Sequence, residues 1–291
     1  MKTAKSFLAD DGTEIAYNVT GKGRAMVLCD GIGCDQFAWK YFAPYFSDRF
    51  RIIRWNYRGH GLSGTPRDLS QLTMENIRRD LAAMLAQEEA KDVVLVGHSM
   101  GVQVVLDYAL HYPEQVRAIV PICGSYGRPL TTFHDSAVGD RVFPYVHKAV
   151  QAFPKIATAI WKFAALSPLA FPIATTFEVN GDFLSREDFQ PYFDHLAKMD
   201  PAIFFRMLAD LNTHDLAHKI AGITQPTLIV AGERDTFTPA WLSLKMQQKI
   251  AGSELLFIPG GSHTAPIEFP ELINLRVEKF FRERLSLRVA A

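Results

Sequence analysis

The sequence predicts an α/β fold: a mostly parallel eight-stranded sheet flanked by helices and interrupted by an inserted helical cap. Three observations carry this. From Glu14 to Pro121, short runs rich in β-branched residues alternate with longer helical patterns, as strands and crossover helices do. After Cys123 the alternation stops, and Gly124 to Leu216 has few β-runs, many prolines and many phenylalanines. It then resumes at Pro226, so an insertion explains the pattern better than two consecutive domains. The expected division is a first core segment at 1–127, a cap at 128–215 and a second core segment at 216–291.

Each element has its own signal. Lys5 to Leu8 and Glu14 to Val19 flank the turn residues Asp10, Asp11 and Gly12 and read as an antiparallel hairpin. Ala25 to Cys29, Phe50 to Asn56, Val93 to Gly97 and Val116 to Ile122 are nearly continuous apolar runs, expected of strands covered by helices on both faces. Helical patterns run from Phe37 to Phe46, Met74 to Glu88 and Met100 to His111, the last stopping before Pro113. Beyond the insertion come a strand at Pro226 to Ala231, a helix at Pro239 to Ile250, a strand at Glu254 to Ile258 and a terminal helix at Ile267 to Leu285.

Composition narrows the function classes. The 291 residues carry 31 basic and 31 acidic side chains, so the chain lacks the diffuse charge that grips nucleic acid or an anionic surface, and neither partner is expected. Cys29, Cys34 and Cys123 are an odd set without CxxC spacing, which argues against a disulfide framework or a zinc site and fits a reducing compartment. The N-terminal residues lack a secretory h-region, so the expected location is cytoplasmic. The uncharged run Phe163 to Phe177 contains Pro168 and Pro172 and falls short of the ~20 residues of a spanning helix; a lid that meets lipid is its alternative use.

The sharpest motif is Gly97-His98-Ser99-Met100-Gly101, placed between an apolar strand and a helical pattern. A tight strand-to-helix turn needs small flanking residues and leaves the central hydroxyl exposed at the carboxyl edge of the sheet. A serine hydroxyl is a weak nucleophile at neutral pH and needs a base, itself oriented by an acid. Asp235 follows the strand Pro226 to Ala231 and His263 follows the strand Glu254 to Ile258, which puts both on loops at the edge where Ser99 lies. Glu233 and Asp215 are rival acids. His60 and His98 are read as loop-orienting, and His214 with His218 lacks a third metal ligand. Gly59 to Gly64 spells G-x-G-x-x-G, but Thr65 to Asp68 prolongs the loop where a dinucleotide site needs a helix to begin at once.

With DGIG at 30–33, NYRGHGLSG at 56–64, GHSMG at 97–101, GERDTFTP at 232–239 and GGSHTAPIEFP at 260–270, the chain resembles the α/β-hydrolase superfamily over nearly its whole length. The resemblance implies Ser99 as nucleophile, His263 as general base and Asp235 as its acid, with the backbone N–H groups of Met100 and Ile32 as oxyanion donors. Asp30 stands where relatives carry His, so its carboxylate is expected either to point away from the oxyanion or to be paired, with Arg58 as the candidate partner. Asn56 stands where relatives often carry Asp. Phe133, Phe143, Phe153, Phe163, Phe171, Phe177, Phe183, Phe189, Phe193, Phe204 and Phe205 are candidates both for cap-to-core packing and for lining a substrate slot.

The expected function is a metal-free, cofactor-independent serine esterase acting on a small ester with an apolar acyl or aromatic part. Thioester, carbon–carbon, lactone and perhydrolase chemistry use the same triad, and an apolar-ligand receptor is the non-enzyme alternative. Thr264 stands where carbon–carbon hydrolases often have Trp, and Ser99 where epoxide and halide hydrolases of similar fold use Asp.

Overall fold

The computed structural model describes residues 3–177 and 179–285. The side chains of Thr3, Ala4 and Phe177, residue 178, and residues 1–2 and 286–291 at the ends of the expected core segments lie outside the described residues. Eight strands form one sheet in the order β1-β2-β4-β3-β5-β6-β7-β8. The hairpin of β1 (Thr3–Leu8) and β2 (Glu14–Thr20) is antiparallel, and β2 also runs antiparallel to β4 (Phe50–Trp55). From β4 the sheet is parallel through β3 (Arg24–Cys29), β5 (Val93–His98), β6 (Val116–Ile122), β7 (Leu228–Gly232) and β8 (Glu254–Ile258). Parallel pairing brings the carboxyl ends of β3, β5, β7 and β8 to one edge, where the site lies.

Val93, Val94, Leu95 and Val96 of β5 are fully buried, because helices pack on both faces of the sheet. Each such side chain removed from water stabilises the fold by about 1.5–3 kcal/mol. One face meets α2 (Met74–Gln87), whose N-cap Thr73 accepts from Asn76 N at 3.1 Å, and α3 (Met100–His111). The other face meets α1 (Phe42–Phe46) and the C-terminal helix.

Two expected helices are broken, each upstream of a proline. Phe37 to Phe46 divides into a 3₁₀ turn at Phe37–Trp39 and α1, because Pro44 has no N–H for the carbonyl of Lys40 and its ring clashes there. Ile267 to Leu285 divides at Phe269, which precedes Pro270 and leaves helical geometry.

Between β6 and β7 the chain runs through α4 (Val138–Ala152), α5 (Pro154–Leu166), α6 (Ala170–Phe177), α7 (Arg186–Lys198) and α8 (Pro201–Leu211). Side-chain caps start the last two: Ser185 accepts from Asp188 N and Asp200 from Ala202 N. After β7 come α9 (Ala240–Lys249), α10 (Ala265–Glu268) and α11 (Pro270–Leu285). Phe189 and Phe193 of α7 pack beside Phe37 and close this segment onto the core, whereas Phe153, Phe163 and Phe183 are mostly exposed.

Candidate active site

Ser99 sits between β5 and α3 at φ 56°, ψ −118°, a strained backbone for a residue with a side chain. The turn closes because its flanks carry no side chain. A Cβ on Gly97 would lie 2.3 Å from the carbonyl oxygen of Gly101, and one on Gly101 would lie 2.0 Å from that of Cys29. The Ser99 N–H is held by the carbonyls of Ile122 and Cys123 at the end of β6, at 3.2 and 3.1 Å.

His263 Nε2 lies 2.9 Å from Ser99 Oγ, and His263 Nδ1 lies 3.0 Å from both oxygens of Asp235. Asp235 is buried and further held by Phe237 N, Thr238 N and Thr238 Oγ1 at 3.0, 2.8 and 2.7 Å, so its carboxylate cannot turn away from the imidazole. The rival acids are engaged elsewhere: Glu233 accepts from Gly260 N and Asp215 from Ala217 N. His214 and His218 lie in a turn rather than on a helix, and His214 Nδ1 meets Gln103 Oε1 at 2.8 Å.

The loop carrying His263 is fixed from two sides. His98 Nε2 donates to the His263 carbonyl at 2.8 Å, and burial together with the neighbouring His263 pushes the His98 imidazole down to about 3, which keeps it neutral. Behind the loop, buried Glu268 accepts from Ser262 N and Thr264 Oγ1 at 2.7 Å, from Ser262 Oγ, and from Asn180 N at 3.1 Å. Asn180 also donates to the Gly260 carbonyl, so one clamp joins the His263 loop to the segment after α6. Sequence reasoning missed Glu268; its place five residues after His263, in a turn it closes itself, was the available signal.

Gly31 packs against Ser99, since a Cβ there would meet Ser99 Cβ at 3.0 Å. The N–H groups of Ile32 and Met100 make no hydrogen bond among the described residues, so both expected oxyanion donors are unengaged beside Ser99. His60 Nε2 accepts from Gly33 N at 3.0 Å and anchors this loop, with its own imidazole pushed down to about 3 by burial. The G-x-G-x-x-G segment folds back on Asn56, which accepts from Leu62 N and donates to Asp35, and it leads to a 3₁₀ turn at Leu69–Gln71.

The expected Asp30–Arg58 pair does not form. Arg58 is buried against Asp80, at 2.8 and 2.7 Å, and reaches Asp11 at 2.9 Å. Asp80 and Asp11 on the far side of the loop supply the charge that Arg58 needs. Asp30 instead accepts from Gln36 N at 2.8 Å, with its other oxygen unpartnered, and burial pushes its carboxyl up to about 7. Below about pH 7, protonation thus removes the charge that a salt bridge was expected to cancel. Because the folded value exceeds the ~3.9 of the unfolded chain, the native state keeps a proton the unfolded state has lost, and stability falls as pH rises from about 4 to 7. Asp30→Asn should therefore gain stability over the wild type across that window, on the order of 1–3 kcal/mol, read from urea midpoints at either end. A difference that does not change with pH would overturn this account.

Over Ser99 opens a cavity of about 270 Å³. Ile32, Met100, Phe237 and Thr238 line it from the core, and Leu130, Phe133, Phe204, Leu208 and Leu211 from the segment between β6 and β7. Of the phenylalanines expected at a substrate slot, Phe133 and Phe204 reach it. Phe237, not among those candidates, lies tilted against His263 with ring centroids 4.8 Å apart.

A model of the alpha/beta hydrolase family matches residues 26–274. The chain belongs to the alpha/beta hydrolase family. Among similar proteins, the uncharacterized hydrolase YugF of Bacillus subtilis is 24% identical over 94% of this chain and 96% of its own length. Bifunctional epoxide hydrolase 2 of Sus scrofa is 29% identical over 40% of this chain, and the match spans about a fifth (21%) of that protein. The solved structure of a thermophilic esterase from Thermogutta terrifontis superposes with a TM-score of 0.78 at 21% identity, covering 97% of this chain and 98% of that one, which speaks for the hydrolase fold alone.

Proposed function

We propose that the chain is a serine hydrolase of carboxylic esters that needs no cofactor and works through an acyl-enzyme. The observation that carries this is the unbroken line from Ser99 Oγ through His263 to Asp235, opening on an apolar cavity. In this reading Ser99 attacks the acyl carbon while His263 takes its proton, and the N–H groups of Met100 and Ile32 hold the oxyanion. His263 then protonates the departing alcohol and activates the water that releases the acid. Residues 128–215 act as a cap whose Leu130, Phe133 and Leu208 face the acyl or aromatic part. At about 270 Å³ the cavity suits a small apolar ester, near the low end of the ~300–1,000 Å³ of small-molecule sites.

Epoxide hydrolases occur among the similar proteins, yet the chemistry of Ser99 favours an ester. A serine that opened an epoxide would be left as an ether, with no carbonyl carbon for water to attack, whereas an acyl-serine is hydrolysed by the same base. A reducing, cytoplasmic setting is supported by three buried, unpaired thiols.

A fluorophosphonate probe should label the wild type and leave Ser99→Ala unlabelled, and a panel of nitrophenyl esters, thioesters and lactones should place the best turnover on short apolar esters. Equal labelling of the two proteins would reject the nucleophile.

A further inference from the structure

We propose that the outer face of α4 and α5 docks on an anionic lipid surface. α5 is apolar on both sides. Inward, Trp161 packs on Phe204 and Phe205 and Ala165 is buried. Outward, Ile156, Ile160 and Phe163, spaced i, i+4, i+7, are 59%, 63% and 78% exposed, and Phe153 and Leu166 at the ends of α5 and Tyr145 on α4 are exposed as well. A helix with apolar side chains on its outer as well as its inner face has a second surface that favours cover. Water covers half of this one.

Charge identifies the cover. From Arg141 to Phe177 the chain has Arg141, Lys148, Lys155 and Lys162 and no acidic residue, leaving 27 basic against 31 acidic residues elsewhere. Within a neutral chain, the stretch between Asp140 and Glu178 thus carries basic charge alone. All four cations are exposed, and none has an ion-pair partner among the described residues. Lys155 and Lys162 each sit one position before an exposed apolar residue, Ile156 and Phe163, the pairing of charge and apolar surface found on helices lying in a headgroup layer. A second copy of this chain fits the face less well, since a twofold contact would oppose lysine to lysine.

The geometry also says how deep the contact goes. The 13 residues of α5 span about 20 Å, short of the ~30 Å hydrocarbon core, and α5 meets α6 at a 76° bend. The face lies on a bilayer and does not cross it. Trp161 and Phe204 connect it to the wall of the cavity over Ser99, so a bilayer-dissolved ester would meet the protein beside the site.

The test is co-sedimentation of the full chain with vesicles of phosphatidylcholine alone or with about a third phosphatidylserine. Binding should appear on the anionic vesicles, weaken at high salt, and fall about tenfold or more in both Ile160→Glu and the double variant Lys155→Glu/Lys162→Glu. The lysine variant alters only solvated side chains, so a folding defect cannot mimic its loss, and both variants should hydrolyse a water-soluble ester at the wild-type rate. No binding at low salt, or equal binding by the variants, would overturn the proposal. So would a dimer in sedimentation velocity that Ile160→Glu dissolves while vesicles stay unbound. Vesicle binding does not require Ser99, so the failure of this inference and of the esterase reading are separate results.

Discussion

Asp235→Asn is expected to lower kcat by about 10⁴ while leaving the fold and the position of His263 nearly unchanged. The reason lies in which oxygen is free to become an amide. Phe237 N and Thr238 N both donate to Oδ1, so that atom must stay a carbonyl oxygen in the variant. The NH2 group then takes the place of Oδ2, facing His263 Nδ1 and Thr238 Oγ1. Oδ1, although also 3.0 Å from Nδ1, already accepts two backbone N–H groups, so a donor in the Oδ2 place favours an accepting Nδ1 and the imidazole proton moves to Nε2, the nitrogen 2.9 Å from Ser99 Oγ. A protonated Nε2 cannot take the hydroxyl proton, so the nucleophile loses its base with every heavy atom in place. Steady-state kinetics on a nitrophenyl ester would show the fall in kcat, and fluorophosphonate labelling should slow in parallel. A loss of less than tenfold would mean that Asp235 does not set the tautomer, and the rival carboxylates would have to be reopened.

Much of this site was legible in the sequence because it is built at strand ends. A parallel strand announces itself as an apolar run, and the residues just past β5, β7 and β8 must share an edge; Ser99, Asp235 and His263 are brought together on that rule. What was not legible depends on distant neighbours. Asp30 and Arg58 are near in sequence terms to the same loop, but Asp80 on α2 and Asp11 in the hairpin turn reach Arg58 first, and nothing local to residue 58 tells of them. The cavity wall combines Leu130 with Leu208 and Leu211, whose approach is set by how α8 lies over the sheet. Counting phenylalanines could not sort Phe204 at the cavity from Phe163 in water, since aromatic content has no direction until helices are placed. The break before α1 could have been read, for Pro44 forbids a continuous helix whatever the surrounding apolar spacing.

Gly101→Ala should cost about 3 kcal/mol or more of stability and take activity with it. A Cβ at residue 101 would lie 2.0 Å from the carbonyl oxygen of Cys29 and 2.8 Å from that of Asp30. Both obstacles are backbone, Cys29 at the end of β3 paired with Gly97 of β5 and Asp30 just past it with its carbonyl held by the Tyr57 hydroxyl, so no side chain can rotate to make room. Relief requires α3 to lift from β3. That movement separates the Met100 N–H, at the first turn of α3, from the Ile32 N–H on the loop after β3, and the two would no longer converge on one oxyanion. Gly252→Ala is the contrasting control: Gly101 is helical and pays no backbone penalty for a side chain, whereas Gly252 is left-handed, at φ 71°, and a Cβ there meets nothing within 4 Å, so it carries only the conformational cost of about 1–2 kcal/mol. Urea unfolding of both variants, with kcat on the same ester, separates strain from collision. A Gly101→Ala protein as stable as Gly252→Ala, with wild-type turnover, would show that the contact between α3 and β3 does not set the site.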